Sequence, residues 1–537
     1  MSVALIGSSG GGVATLGHTN ATDLLRVIHD ELRKVGSGSE VSLDYALFVT
    51  LHNGKGFDNC NPEKDIATLY AVTTTSQNHE IQIQVIETAP LKVINKRCRQ
   101  MDVTLAQQIQ SGQIQGLICI SCSVDVHEAS LKAAGISQIP VTGSGGKSLS
   151  EASSRFGISL VGNAGGSVAT TTYTRAISYT YALASAWKKD YNASQLNSDT
   201  LPQWTSVLNA CLPAFWAVTL TCRIINMITP YLSHSEWLTE QLLVTLQTQA
   251  LPTTCCVVMA TTLAPQHGSI VWMAACIASI VCQKSILAGL ISGFFVSLIV
   301  KRTLFQCIIW NIPATMTNLI TAGGVGALVA TVVAPFVQYL QTMSQLIRWI
   351  VQTPMNGNYP GVGFVIGMMC CWGCKVGLYH KIWLPIILFE MELGDASLWG
   401  AIDEATLVLV SAAICSANLL IPLPSDTESK SLCKRGLRIN LLFGDFVEAA
   451  YPFMEKSVLV NVGGYLASGI STELLTGNTD DIRSMAYLPL PISILLAKDW
   501  NRIFLSYFAS FSICFTLTLL NNVMASSRAE SQIKKSS

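Results

Sequence analysis

From residue 205 to residue 523 the chain passes through one apolar stretch after another, separated by short polar breaks. A helix needs about 20 mainly apolar residues to cross the hydrocarbon core of a bilayer, and in lipid the backbone must satisfy its own hydrogen bonds. This pattern restricts the second part of the chain to an all-helical membrane bundle. Composition agrees, because half of the 537 residues are hydrophobic and only 12% are charged, whereas a soluble domain is about one quarter charged. The deficit is uneven: residues 1–200 read as an ordinary soluble domain.

Four regions follow: an α/β domain over 1–195, a polar linker over 196–204 containing Pro202, a membrane region over 205–525 and a polar tail over 526–537. Several apolar segments are too short to span alone, such as 382–391, or are interrupted, as 322–350 is by Pro335. Non-helical backbone at membrane depth is tolerated only where it packs in protein or lines a cavity, and broken helices mark transporter binding sites. The expectation is about ten spans with one or two re-entrant hairpins.

The N-terminus breaks into glycines after six residues and carries no basic leader, unlike a secretory signal. Lys188, Lys189, Lys301, Arg302, Lys430, Lys434, Arg435, Arg438, Lys534 and Lys535 flank segment ends, and basic loops favour the cytoplasm. The α/β domain and the tail are therefore expected on the cytosolic side of a multi-pass protein. Formal net charge is zero with no long basic tract, so nucleic acid is not an expected partner. The 17 cysteines lie largely in apolar stretches and lack metal-ligand spacing with histidines; no metal or other cofactor is expected.

In the first part, short apolar runs at 3–7, 45–51, 81–87, 116–123, 139–143 and 158–162 alternate with helix-like stretches. This alternation predicts a doubly wound parallel sheet, which binds ligands at the carboxyl ends of its strands. Three of those ends are glycine-rich: GSSGGG with Gly10, Gly11 and Gly12; GSGGKS with Gly145, Gly146, Lys147 and Ser148; and GNAGGS with Gly165, Gly166 and Ser167. Glycine lets a backbone approach a ligand, and free N–H groups at a helix N-terminus favour phosphate or carboxylate. A phosphorylated or otherwise anionic small ligand is the expectation, although the same glycines serve equally as tight turns. Asp125 and His127 follow a predicted strand in SVDVHE, where acid/base groups project; a helix cap and a surface histidine are the plainer alternatives.

Ionisable residues inside membrane segments are costly and mark function by default. Three clusters qualify: His380 and Glu390 in HKIWLPIILFEMELGD, Asp403 in WGAIDEATLVL, and Asp445, Glu448 and Pro452 in GDFVEAAYPFMEK. The last has a glycine and a proline around a carboxylate, a turn suited to hydrogen-bonding the hydroxyls of a dehydrated solute. Interface positions, helix caps and local ion pairs are the competing explanation for the others.

GDFVEAAYPF resembles the G-[IL]-x-E-G-A-I-P-F signature of the membrane-embedded enzyme IIC component of bacterial phosphotransferase-system sugar transporters, especially the fructose-like branch. Glu448, Pro452 and Phe453 fall on its positions. The resemblance implies that Glu448 contacts a sugar near a re-entrant hairpin, that His380 in LYHKIWLP lies close by, and that the protein is a homodimer. It departs at Ala449 and Tyr451, and the first 200 residues carry no short Cys-containing phosphoryl-accepting loop. The reading is a transporter of a sugar or related polar metabolite with a cytosolic α/β ligand-binding domain. A membrane-anchored enzyme working through that domain and a membrane receptor are the alternatives.

Overall fold

The computed structural model describes residues 1–9, 21–36, 41–52, 60–74, 81–144, 146–163, 172–193, 204–229, 236–310, 312, 314–357, 359–422, 427–445, 447–477, 482–497 and 499–536. They form two compact units. The first comprises Met1–Leu201, Met259–Ala278 and Phe294–Val329, and the second Pro202–Val258, Ser279–Gly293 and Ala330–Ser537. The expected linker lies mostly outside the described residues.

The first unit holds a seven-stranded sheet. Its elements run β1 (Ser2–Ser8), α1 (Ala21–Leu32), β2 (Ser42–Leu51), β3 (Ile66–Thr74), β4 (Ile81–Pro90), α2 (Leu91–Gln110), β5 (Gly116–Ile120), α3 (Glu128–Ser137), β6 (Pro140–Ser144), α4 (Gly146–Phe156), β7 (Ser159–Asn163) and α5 (Thr172–Ala186). The strand order is β4-β3-β2-β1-β5-β6-β7. β2, β1, β5, β6 and β7 are parallel, and β3 and β4 add an antiparallel edge. β3 was not expected from its sequence, because IATLYAVTT alternates only weakly and follows a polar stretch.

Alternate residues of β1 face opposite sides. Val3 and Leu5 pack with Leu24, Leu25 and Ile28 of α1 and Tyr179 and Leu183 of α5. Ala4 and Ile6 pack with Ile94 and Leu105 of α2, Leu131 of α3 and Leu149 of α4. The strand period of two therefore distributes helices over both faces. β2 and β5 flank β1 on opposite sides, which places the reversal of strand order at the carboxyl end of β1.

The remainder is helical. Among the described residues, six helices are long and apolar enough to cross a membrane: Ala210–Ile228, Glu240–Leu263, Ile286–Ile309, Thr315–Asn356, Leu398–Leu420 and Trp500–Arg528. Large apolar side chains such as Leu328, Val332, Phe336 and Phe508 are more than half exposed on them, as helices that face lipid require. Leu398–Leu420 is different, being buried along its whole apolar window, and it forms the centre of the second unit. The helix that begins at Trp500 runs on to Ser536, through the polar tail.

Small residues let these helices approach closely. A Cβ on Gly367, in the helix Val362–Lys375, would lie 2.2 Å from the Ser468 carbonyl oxygen of the helix Val458–Glu473. Glycine at such a crossing allows backbone contact that any side chain would prevent. None of the 17 cysteines forms a disulfide, and all but Cys60, Cys276 and Cys374 are buried.

Candidate functional site

Four of the ionisable residues singled out in the sequence border one hollow in the second unit. Asp403 closes the straight turns Leu398–Asp403, after which the helix widens into a π-helical turn over Glu404–Val408. Such turns displace the backbone ladder and are frequent at functional sites. Ser397 caps this helix, its Oγ accepting from Gly400 N at 3.0 Å.

Asp445 and Glu448 come from the segment after the helix Thr427–Phe443. Gly444 there has φ 61°, and a Cβ on it would lie 2.6 Å from the Leu488 carbonyl oxygen, so the turn needs glycine for both conformation and space. The chain then makes a 3-10 turn, Val447–Ala450, and a short helix, Tyr451–Lys456, with Pro452 in its first turn. Proline is tolerated there because its missing N–H would have no partner in the helix. His380 arrives beside Tyr379 at the start of the helix Tyr379–Glu390.

Together these segments surround a cavity of about 560 Å³ whose walls include Asp403, Asp445, Glu448, His380, Lys375 and Tyr487. That volume lies within the roughly 300–1,000 Å³ of small-molecule sites. The wall is graded in depth. Asp403 is 4% exposed and Tyr379 9% exposed, while His380, Asp445 and Glu448 are exposed at the mouth. Glu448 therefore borders the hollow from its open side.

The floor is a phenol and carboxyl network. The Tyr379 and Tyr487 hydroxyls are 2.5 Å apart, and Tyr379 hydrogen-bonds Asp403. Burial, with the nearby Asp403 carboxyl next in importance, pushes both phenols above their usual range. Tyr487 has φ 60°, an uncommon conformation for a bulky residue, of the kind retained at binding sites. Asp403 Oδ1 is buried with no hydrogen-bond partner. Lys375 Nζ donates to Asn461 Oδ1 at 3.0 Å and Tyr451 OH donates to Cys374 Sγ at 2.9 Å, both on the cavity wall.

Glu390 and Pro452 are not among the described lining residues. The Glu390 carboxylate accepts from Ser397 Oγ, from Trp399 N at 2.9 Å and from Gln352 Nε2 at 2.8 Å. It is 4% exposed and ties three segments together. Glu392 similarly accepts from Ile286 N at 2.8 Å and faces Arg348 at 3.6 Å. Glu473 meets the start of the helix Val362–Lys375, accepting from Gly361 N at 2.8 Å and Phe364 N at 2.9 Å. These carboxylates hold structure rather than border the hollow.

In the sheet domain, Asp125 is exposed and paired with Arg155 at 3.1 Å. His127 is buried at the N-cap of α3, its Nδ1 3.5 Å from Asp102 Oδ1. The two thus face different partners. Gly10, Gly11, Gly12, Gly145, Gly165, Gly166 and Ser167 lie outside the described residues, Gly146 and Lys147 begin α4, and Ser148 is half-buried. Beside Ser148, at the end of β5, the Cys122 thiol is pulled below its usual range by a hydrogen bond with Cys119 and, less strongly, by one with Ser148. Ser121 between the two cysteines has φ 42°. β1 reaches the same edge, where Ser8 Oγ donates to the Ser121 carbonyl at 2.9 Å.

Tyr379, Tyr487, Lys375 and Cys374 were not picked out from the sequence. Tyr379 adjoins His380 in the same motif; Tyr487 stands among apolar residues and prolines with nothing local to mark it. No family model, curated protein or solved structure matches the chain.

Proposed function

We propose that this chain is a polytopic membrane transporter of a sugar or related small polar metabolite, with the Asp403 cavity as its solute site. The observation that carries this reading is the convergence of Asp403, Asp445, Glu448 and His380 on one hollow of the helical unit. A polar lining there is expensive unless a polar guest uses it. Carboxylates and phenols are acceptors and donors for hydroxyl groups, and Lys375 and His380 add N–H donors.

The finer parts of the proposal rest on the sequence. They are an enzyme IIC-like mode of action, about ten crossings with re-entrant segments, a homodimer, and a cytosolic placement of the sheet domain and the tail. The sheet domain is proposed to bind a small anion at the glycine-rich carboxyl ends of β1, β6 and β7. Its support is the reversal of strand order at β1 and the left-handed Ser121 backbone beside Cys122.

The test uses the full chain in proteoliposomes and a panel of labelled hexoses and hexitols. Uptake of a panel member by the wild type, lost in both Glu448→Gln and Asp403→Asn, supports the reading. Uptake insensitive to both substitutions removes this cavity as the route.

A further inference from the structure

Glu404 follows Asp403 directly, and the two carboxylates are 0% and 4% exposed inside the most deeply buried span. Tyr507 OH donates to Glu404 Oε2 at 2.7 Å and Ser493 Oγ also donates to it, while Glu404 Oε1 and Asp403 Oδ1 have no partner. Among the described residues neither is ion-paired with a lysine, arginine or histidine. Two adjacent ionised carboxylates without a cation in apolar surroundings carry a cost that proton uptake removes.

The groups facing the pair come from every packed element. The helix Val362–Lys375 offers Cys370 and Cys374, the helix Tyr379–Glu390 offers Tyr379, and Tyr487 and Asp445 complete the Asp403 side. On the Glu404 side stand Ser493 and Tyr507. The helix Val458–Glu473 presents Ser468, whose Oγ donates to the Thr406 carbonyl at 3.0 Å, and its own Glu473 is occupied by backbone N–H groups. Lys375 and His380 also line the cavity.

We infer that Asp403, backed by Glu404, is the proton-binding site that couples solute movement through this cavity to proton movement. The inference rests on the transport reading above. Asp403 Oδ1 takes a proton from cavity water to give a neutral carboxyl group and returns it to water later; no electrons move and no other bond changes. Tyr379 and Tyr487, hydrogen-bonded to each other, line the cavity wall beside Asp403. A proton suits this site better than a metal cation, because the neighbours are hydroxyl donors, and the described residues contain no cluster of three or more metal-ligating side chains.

Two measurements separate this inference from the transport reading. Infrared difference spectra of the full chain in lipid, between about pH 5 and about pH 9, read the C=O stretch of protonated carboxyl groups without any solute. The expected result is a titrating band that loses one carboxyl's intensity in Asp403→Asn; a band unchanged by both Asp403→Asn and Glu404→Gln overturns the inference. In proteoliposomes given labelled D-fructose and D-mannitol, an inward proton gradient should raise uptake by at least about tenfold, and Asp403→Asn should abolish that stimulation. Stimulation by a sodium gradient in place of a proton gradient also overturns it. A titrating band with no uptake of any panel solute leaves the proton site standing and removes the transport reading.

Discussion

The corner around Glu390 and the hollow around Asp403 bury carboxylates to the same degree, 4% exposed in each case, yet they serve different ends. Glu390 spends both oxygens on donors from two other segments and borders no described part of the hollow. Asp403 keeps an oxygen unpartnered beside a cavity of about 560 Å³. Burial of a charge inside an apolar bundle is therefore an incomplete guide to function. What distinguishes the second case is an unmet hydrogen-bonding need on a residue that lines a cavity.

The strongest way to break this contrast is to truncate Glu390. Glu390→Ala leaves Trp399 N, Gln352 and Ser397 without their acceptor and should cost about 3–5 kcal/mol, read as a fall in the unfolding midpoint in detergent. Little change would mean that the corner is not the structural element described here. Next comes His267, which is buried with both ring nitrogens unpartnered and whose pKa falls to about 4 through burial and, secondarily, Lys301. The unfolded chain takes up a proton near the ordinary value of about 6.5 and the folded chain does not, so stability should drop as pH falls through that window, by up to about 3 kcal/mol. His267→Phe should flatten that acid-side slope in unfolding measured across pH.

Gly444→Ala should cost about 1–3 kcal/mol from the left-handed backbone and the close Leu488 carbonyl, and it should weaken solute binding because Asp445 and Glu448 ride on that turn. Asp403→Asn is the smallest change in stability, within about 1 kcal/mol, because it keeps the shape and removes an unpaired charge. It should nevertheless reduce solute affinity by at least about tenfold, equivalent to about 1.4 kcal/mol, measured by equilibrium binding. A stability loss in Asp403→Asn as large as that in Glu390→Ala would erase the contrast.

Much of the architecture could be read before any coordinates. The apolar runs of residues 205–523 announced helices suited to a membrane, and six are long and apolar enough. The alternation of VALIG, YALFVTL and GLICI announced the parallel strands, because a buried strand reads as a continuous apolar run. β3 escaped, since IATLYAVTT pairs only with antiparallel neighbours at the edge and needs no such run.

For the cavity, charge within apolar sequence pointed to Asp403, Asp445, Glu448 and His380. The same signal pointed to Glu390, because a sequence shows where a charge lies along the chain but not whether Gln352, Ser397 and Trp399 fold back to meet it. Tyr487 was invisible for the complementary reason: its partner Tyr379 is 108 residues away.

The account turns on whether the Asp403 hollow receives a polar solute. Equilibrium binding of a hexose, hexitol and hexose-phosphate panel to the purified full chain, followed by thermal shift, tests this most directly. The account predicts at least one stabilising member whose effect disappears in Asp403→Asn and in Glu448→Gln while the unliganded midpoints stay close to wild type. A stabilising solute whose effect survives both substitutions unchanged would contradict it.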